Sequence, residues 1–122
     1  MSNNKPTCTT YPNGDKEWSL NGKWHHEDGP AIERPNGDKE WFLNGVRHRE
    51  DGPAVENANG MKMWYLNGKL HREDGPATIH VSGAISHWFL NNEKTTALEV
   101  FKRANDEQRK HMLIFYPNEF SA

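Results

Sequence analysis

The side chains best equipped for chemistry recur as a block: His25-His26-Glu27-Asp28, His48-Arg49-Glu50-Asp51 and His71-Arg72-Glu73-Asp74, each followed by Gly-Pro-Ala. Imidazole beside carboxylate is the material of metal sites and of acid–base pairs. The spacing argues against both. If each 23-residue interval is one hairpin, equivalent histidines lie two strands apart, roughly 10 Å at ~4.8 Å per strand. The ligands of one zinc must each reach it at about 2 Å. A single His with an Asp three residues on supplies too few donors. An acid–base site needs groups with separated pKa values in one pocket, whereas three copies of one block repeat the same surroundings. Cys8, the single thiol, lies in a polar N-terminal stretch outside the blocks. The expectation is therefore no catalysis, no metal and no cofactor.

A turn-building role accounts for the block better. Asp28, Asp51 and Asp74 precede Gly-Pro, where a short carboxylate can accept backbone N–H groups and order a bend. The histidines can donate to a carbonyl or carboxylate of the next unit, and the arginines can pair with a neighbouring Glu. Such residues must recur in every unit. The candidate binding set is drawn from the same positions: His48, Arg49, Asp51, His71, Arg72 and Asp74, with Phe42 and Tyr65.

The elements that position these groups follow from the period. Trp18, Trp41, Trp64 and Trp88 are spaced by 23, 23 and 24 residues, while Gly14, Gly37, Gly60 and Gly83 keep 23. The extra residue therefore falls between Gly83 and Trp88, where a β-bulge would absorb it. Asn21-Gly22, Asn44-Gly45 and Asn67-Gly68 have the signature of type I′ hairpin turns, in which both central residues need φ > 0. Pro12-Asn13-Gly14, Pro35-Asn36-Gly37 and Ala58-Asn59-Gly60 mark a second turn. Asp51-Gly52-Pro53 interrupts the returning strand, because proline lacks a donor and glycine permits a kink.

The pattern predicts a mainly β protein: an elongated single antiparallel sheet of tandem 23-residue β-hairpin repeats over residues 11–94. A flexible segment, 1–10, precedes it, and a short helical cap, 95–122, follows. In the tail, Thr96 and Glu99 make a capping-box pair ahead of Leu98, Val100 and Phe101. Residues 106–115 form a second helical candidate with Gln108, Met112 and Phe115 near one face, although Met112–Phe115 also suits a short strand. Folded over the last hairpin, such a tail protects an exposed edge.

Composition sets further bounds. The 122 residues suit one domain, and a mean hydropathy of −1.02 is polar, yet five tryptophans concentrate apolar area in a few large side chains. A net charge of −2 offers no footprint for nucleic acid or an anionic membrane. The unit 18–40 is itself acidic, with Lys23, Arg34 and Lys39 against Glu27, Asp28, Glu33, Asp38 and Glu40. With one cysteine, no apolar leader and no run long enough to span a bilayer, a soluble cytoplasmic protein is expected. The Trp18, Trp41, Trp64 and Trp88 ladder is expected to be core. Phe42, Tyr65 and Phe89 form a second aromatic row on the opposite face, a contact patch if left uncovered. Trp24, a break in the pattern, suits an N-terminal capping contact.

Over residues 11–94 the chain resembles the MORN repeat superfamily, in its variant bacterial and phage form with L-N-G-K-L-H-R-E-D-G-P-A units. The shared features are the 23-residue period, the Asn-Gly turn, the His three residues after that Gly and the Pro-Asn-Gly turn. Arg49-Glu50-Asp51-Gly52-Pro53 after His48 departs from the common Gly-x-Gly, and Glu40-Trp41-Phe42 lacks that pattern's strand glycine. The resemblance implies an antitoxin-like or phage accessory protein. The expected function is a non-catalytic protein-interaction module, of antitoxin, inhibitor or adaptor type. The alternatives are a binder sequestering a small nucleotide-type ligand through Arg49 and Arg72, and a structural or virion component.

Overall fold

The computed structural model describes residues 5–81 and 85–120. The chain runs through β1 (Thr7–Thr10), β2 (Lys16–Leu20), β3 (Lys23–Trp24), β4 (Ile32–Glu33), β5 (Lys39–Glu40), β6 (Phe42–Leu43) and β7 (Val46–Arg47). It continues through β8 (Val55–Glu56), β9 (Lys62–Met63), β10 (Tyr65–Leu66), β11 (Lys69–Leu70), β12 (Thr78–Ile79), β13 (Ser86–Leu90) and β14 (Glu93–Thr95). Helices α1 (Ala97–Arg103) and α2 (Asp106–Phe115) and a 3-10 turn, Pro117–Glu119, complete it. The protein is mainly β. A large antiparallel sheet has the order β1-β2-β4-β5-β8-β9-β12-β13-β14, with β3 also on β2. No helix among the described residues is long and apolar enough to cross a membrane.

The expected single sheet is divided. β6-β7 and β10-β11 are two-stranded ribbons of their own. The division falls at the tryptophans. The Trp41 N–H donates to the Ala54 carbonyl at 2.8 Å, inside the large sheet, while its own carbonyl accepts from His48 N–H at 3.1 Å, on the ribbon side. Trp64 does the same with Ala77 and His71. Each Trp thus hands the chain from one layer to the other. Successive ribbons are joined by backbone bonds, Gly68 N–H to Arg47 O at 2.8 Å and Arg49 N–H to Tyr65 O at 3.1 Å.

Asn21, Asn44 and Asn67 have φ of 54°, 51° and 51°, and Gly22, Gly45 and Gly68 have φ of 78°, 79° and 79°, as a type I′ turn demands. Asn91-Asn92 keeps the geometry at φ of 51° and 70° without a glycine. The side chains of Asn13, Asn36 and Asn59 accept the N–H two residues on, at 3.0 Å in each case, which orders the second turns.

Two details differ from expectation. Thr7–Thr10, assigned to a flexible leader, is strand β1, paired so that Cys8 faces Trp18. The turn expected at Gly83 lies outside the described residues. Ser86 and His87 pair with Ile79 and Thr78 in unbroken register, so no bulge interrupts these two positions. The His80 N–H donates to the Ile85 carbonyl at 2.9 Å, a span one residue longer than Arg34 to Asp38 or Asn57 to Met61, so the extra residue falls between His80 and Ile85.

The cap begins where Thr96 Oγ1 accepts Glu99 N–H at 3.1 Å. Helix α2 has a reciprocal capping box: Asn105 and Gln108 each accept the other's backbone N–H at 2.8 Å. Arg109 ties the helices by donating to the carbonyls of Phe101 and Lys102, both at 2.9 Å. Trp88, Ala97, Val100, Ala104 and Met112 form the core beneath. Met112 is the buried residue of α2, whereas Phe115, expected on the same face, is exposed.

Candidate functional site

Within each unit the polar block folds back onto its tryptophan. The Arg49 guanidinium carbon lies 3.9 Å from the Trp41 ring centroid, and Arg72 lies at the same distance from Trp64. Cation and ring attract through the ring quadrupole. Arg49 Nε donates to Asp51 Oδ1 at 3.0 Å and Nη1 to the Pro53 carbonyl at 3.0 Å. Arg72 repeats both bonds with Asp74 and Pro76, at 2.9 and 3.2 Å. In the first unit a flat imidazole replaces the guanidinium: His26 stacks on Trp18 at 4.1 Å and 8°, and its Nδ1 donates to the Pro30 carbonyl at 3.1 Å. The glycine of Asp-Gly-Pro leaves room for this fold-back. A β-carbon on Gly52 would sit 2.9 Å from the Arg49 guanidinium carbon, and one on Gly75 would sit 2.6 Å from that of Arg72.

The block therefore builds structure differently from the sequence expectation. Asp51 and Asp74 bond the arginine two residues before them, not the backbone N–H groups of the turn. Asp28 has no arginine at that position and is exposed. The first histidine of each block joins units, as expected, but as an acceptor rather than a donor. Nδ1 of His25, His48 and His71 accepts the backbone N–H of Asn44, Asn67 and Asn91 at 2.9, 2.9 and 3.0 Å. Their Nε2 atoms face Glu27, Glu50 and Glu73 at 3.3 to 3.5 Å.

The aromatic candidates separate. Phe42 is buried with Ala31 and Ile32 against Trp18, so its ring presents no free contact surface. Arg47 lies 5.6 Å from both the Phe42 and the Tyr65 centroids, between two members of the second aromatic row. Trp24 stands where Arg47 stands one unit later. Its Nε1 donates to Glu17 at 3.1 Å, as Arg47 Nη2 does to Glu40 at 2.9 Å, and its ring packs on Phe42 at 5.0 Å. Trp18 is half-buried beneath the His26 ring, Trp41 and Trp64 are half-buried beneath their arginines, and Trp88 is buried beneath the cap.

Grooves separate consecutive loops, and their occupancy changes along the chain. The first, about 600 Å³, lies between Glu27-Asp28 and Glu50-Asp51, with Trp41 and Leu43 in its wall. The second, between the Glu50 and Glu73 loops, is about 150 Å³ and has Gln108 of α2 in its lining. A third, also about 150 Å³, lies between His71-Glu73 and Val100-Arg103-Ala104 of the cap. The cap also reaches Arg72 directly: Nη1 donates to Tyr116 Oη at 3.0 Å, and Nη2 lies 3.5 Å from His111 Nε2.

Sequence reasoning passed over Ala31, Ala54 and Ala77, which are fully buried at the junction of the layers. Their carbonyls accept from Trp18, Trp41 and Trp64, and their N–H groups donate to the carbonyls of Glu40, Met63 and His87 in the next strand. The signal available was a small residue invariably following Gly-Pro at the 23-residue interval. No group of three or more His, Cys, Asp or Glu side chains among the described residues is placed to hold a metal ion. No protein-family model, curated protein or solved structure matches the chain.

Proposed function

We propose that the chain is a non-catalytic protein-interaction module whose binding surface is the first groove, between residues 25–30 and 48–51. The observation that carries this reading is the contrast between neighbouring grooves: Gln108 of the chain's own cap lines the second, of about 150 Å³, whereas the first is about 600 Å³ and has no cap residue in its lining. Its rim is acidic and its wall carries Trp41 and Leu43, a mixed polar and apolar surface suited to a protein. Arg49, Arg72, Asp51 and Asp74 and the block histidines, which suggested chemistry, are engaged with tryptophans, backbone and neighbouring side chains, while Asp28 is exposed at the rim. A role of antitoxin, inhibitor or adaptor type in the cytoplasm accords with this surface. The kinship proposed with variant MORN repeats rests on the 23-residue interval and its two turns.

Site-specific photo-crosslinking tests the reading. A benzophenone side chain replacing Asp28 or Glu50, in the cells that encode the chain, is expected to give the same discrete protein adduct. Replacement of Asn36 or Asn59, at the Pro-Asn-Gly turns, is expected to give none. Absence of an adduct from the groove positions overturns the proposal. So does a nucleotide-sized ligand seen bound to the purified chain by native mass spectrometry and released by Arg49→Ala.

A further inference from the structure

We infer that the occupant of the first groove is a basic amphipathic α-helix of a protein partner, meeting Arg49 as His111 of α2 and the following Tyr116 meet Arg72 one interval further on. The inference rests on the interaction-module reading and adds the chemistry of the partner. The chain supplies the template. Gln108 and His111 lie one helical turn apart on α2, and with Tyr116 they address the loop that carries Arg72. The phenol oxygen and the imidazole meet the outer edge of a guanidinium already fixed over Trp64 by Asp74 and Pro76.

Arg49 is prepared in the same way, over Trp41 and bonded to Asp51 and Pro53. Its side chain remains 22% exposed where that of Arg72 is 9%, and Asp51 is 89% exposed where Asp74 is 40%. Those differences measure what a docked helix covers. A guanidinium held in place before binding loses little side-chain entropy on being met.

The rim sets the partner's charge. Glu27, Asp28, Glu50 and Asp51 line the groove, and its one arginine is already paired with Asp51. A helix entering here gains from lysines or arginines placed towards both loops, with an aromatic hydroxyl or an amide oxygen over Arg49. On α2 itself Lys110 pairs with Glu107 at 3.8 Å beside Asp74, so the acidic first turn of that helix is what a partner for the first groove must replace with cations.

The probe is a fluorescent synthetic peptide with the sequence of residues 105–120, carrying Asp106→Lys and Glu107→Lys to meet the rim. It is titrated by anisotropy against the intact chain at low salt. Saturable binding is expected, weakened about tenfold, the scale of one charge-assisted hydrogen bond, when Arg49→Ala removes the guanidinium. Because that variant can also disturb its own loop, Asp28→Lys and Glu50→Lys, both at exposed positions, are measured beside it and are expected to weaken binding similarly. Tyr116→Phe in the peptide weakens it by removing the acceptor. No saturation up to about 1 mM, or affinity unchanged by Asp28→Lys and Glu50→Lys, overturns the inference. A crosslinked partner whose attached segment is extended or a loop also overturns it, while leaving the interaction reading intact. Absence of any crosslinked protein removes both.

Discussion

The backbone N–H of Asn67 donates to Nδ1 of His48 at 2.9 Å, so a left-handed turn residue in one unit is held by an imidazole in the unit before it. The same bond joins Asn44 to His25 and Asn91 to His71. A turn residue with φ of 51° has few local partners for its N–H, and the histidine satisfies it from outside the hairpin.

His48→Ala removes that acceptor and leaves the Asn67 N–H without it. The expected cost is about 1–3 kcal/mol, read as a lowered denaturant midpoint at unchanged slope. Amide exchange at Asn67 is expected to accelerate more than at Asn44, whose own histidine is intact. Equal exchange at the two sites would show that the bond does not hold the turn.

The period, the two turn types and the tail helices were legible because each is written in local chemistry. Asn-Gly asks for positive φ, Thr96 and Asn105 offer caps, and a 23-residue interval aligns the tryptophans. Helix α2 spans the segment 106–115 that its pattern suggested. What local chemistry does not encode is the partner of a polar atom. Asp51 was expected to bond the turn backbone because it precedes Gly-Pro, but Arg49 lies closer in the folded loop. The His bonds were expected as donors because sequence does not reveal which nitrogen carries the proton. The break at Trp41 and at Trp64 was invisible for a similar reason: a strand that passes from one sheet to another has the same alternation as a strand in one sheet. Phe42 looked like a surface residue because Trp24 and Arg47, which cover it, are contributed by other strands.

Asp51→Ala and Asp74→Ala remove the same bond in different surroundings. Asp51 is almost fully exposed, so its pair with Arg49 is screened by solvent and is expected to contribute under about 1 kcal/mol. Asp74 is more enclosed, and its arginine also holds Tyr116, so its loss is expected to cost more and to loosen the cap. Thermal unfolding of the two variants side by side checks this. A larger loss from Asp51→Ala would contradict the order of burial.

Gly75 and Gly29 occupy the same place in the Asp-Gly-Pro turn but face different neighbours. A methyl group on Gly75 meets the Arg72 guanidinium at 2.6 Å and must displace it from Trp64 and Tyr116. On Gly29 it meets the His26 ring at 3.5 Å, an ordinary contact. Gly75→Ala is therefore expected to lower stability by about 1–3 kcal/mol through lost arginine bonds, and Gly29→Ala to stay within about 0.5 kcal/mol of the parent. Indistinguishable denaturation curves would mean that the guanidinium can move aside freely.

The cap is expected to be what keeps the last strands from associating. Met112 is fully buried against Trp88, and Met112→Ala removes packing from a closed site, at a cost of about 2–5 kcal/mol. Removing residues 96–122 goes further. It uncovers Trp88 and Leu90 beside β14, the last strand of the sheet, and frees the outer edge of Arg72. Exposed apolar surface beside unpaired backbone groups is a template for pairing between chains. Light scattering is expected to rise with concentration for the truncated chain and to stay flat for the parent at the same concentrations. A truncated chain that remains monomeric and folded would show that the cap serves binding and not protection of the edge. Met112→Ala separates the two roles, because it loosens the cap while keeping every residue that faces the groove.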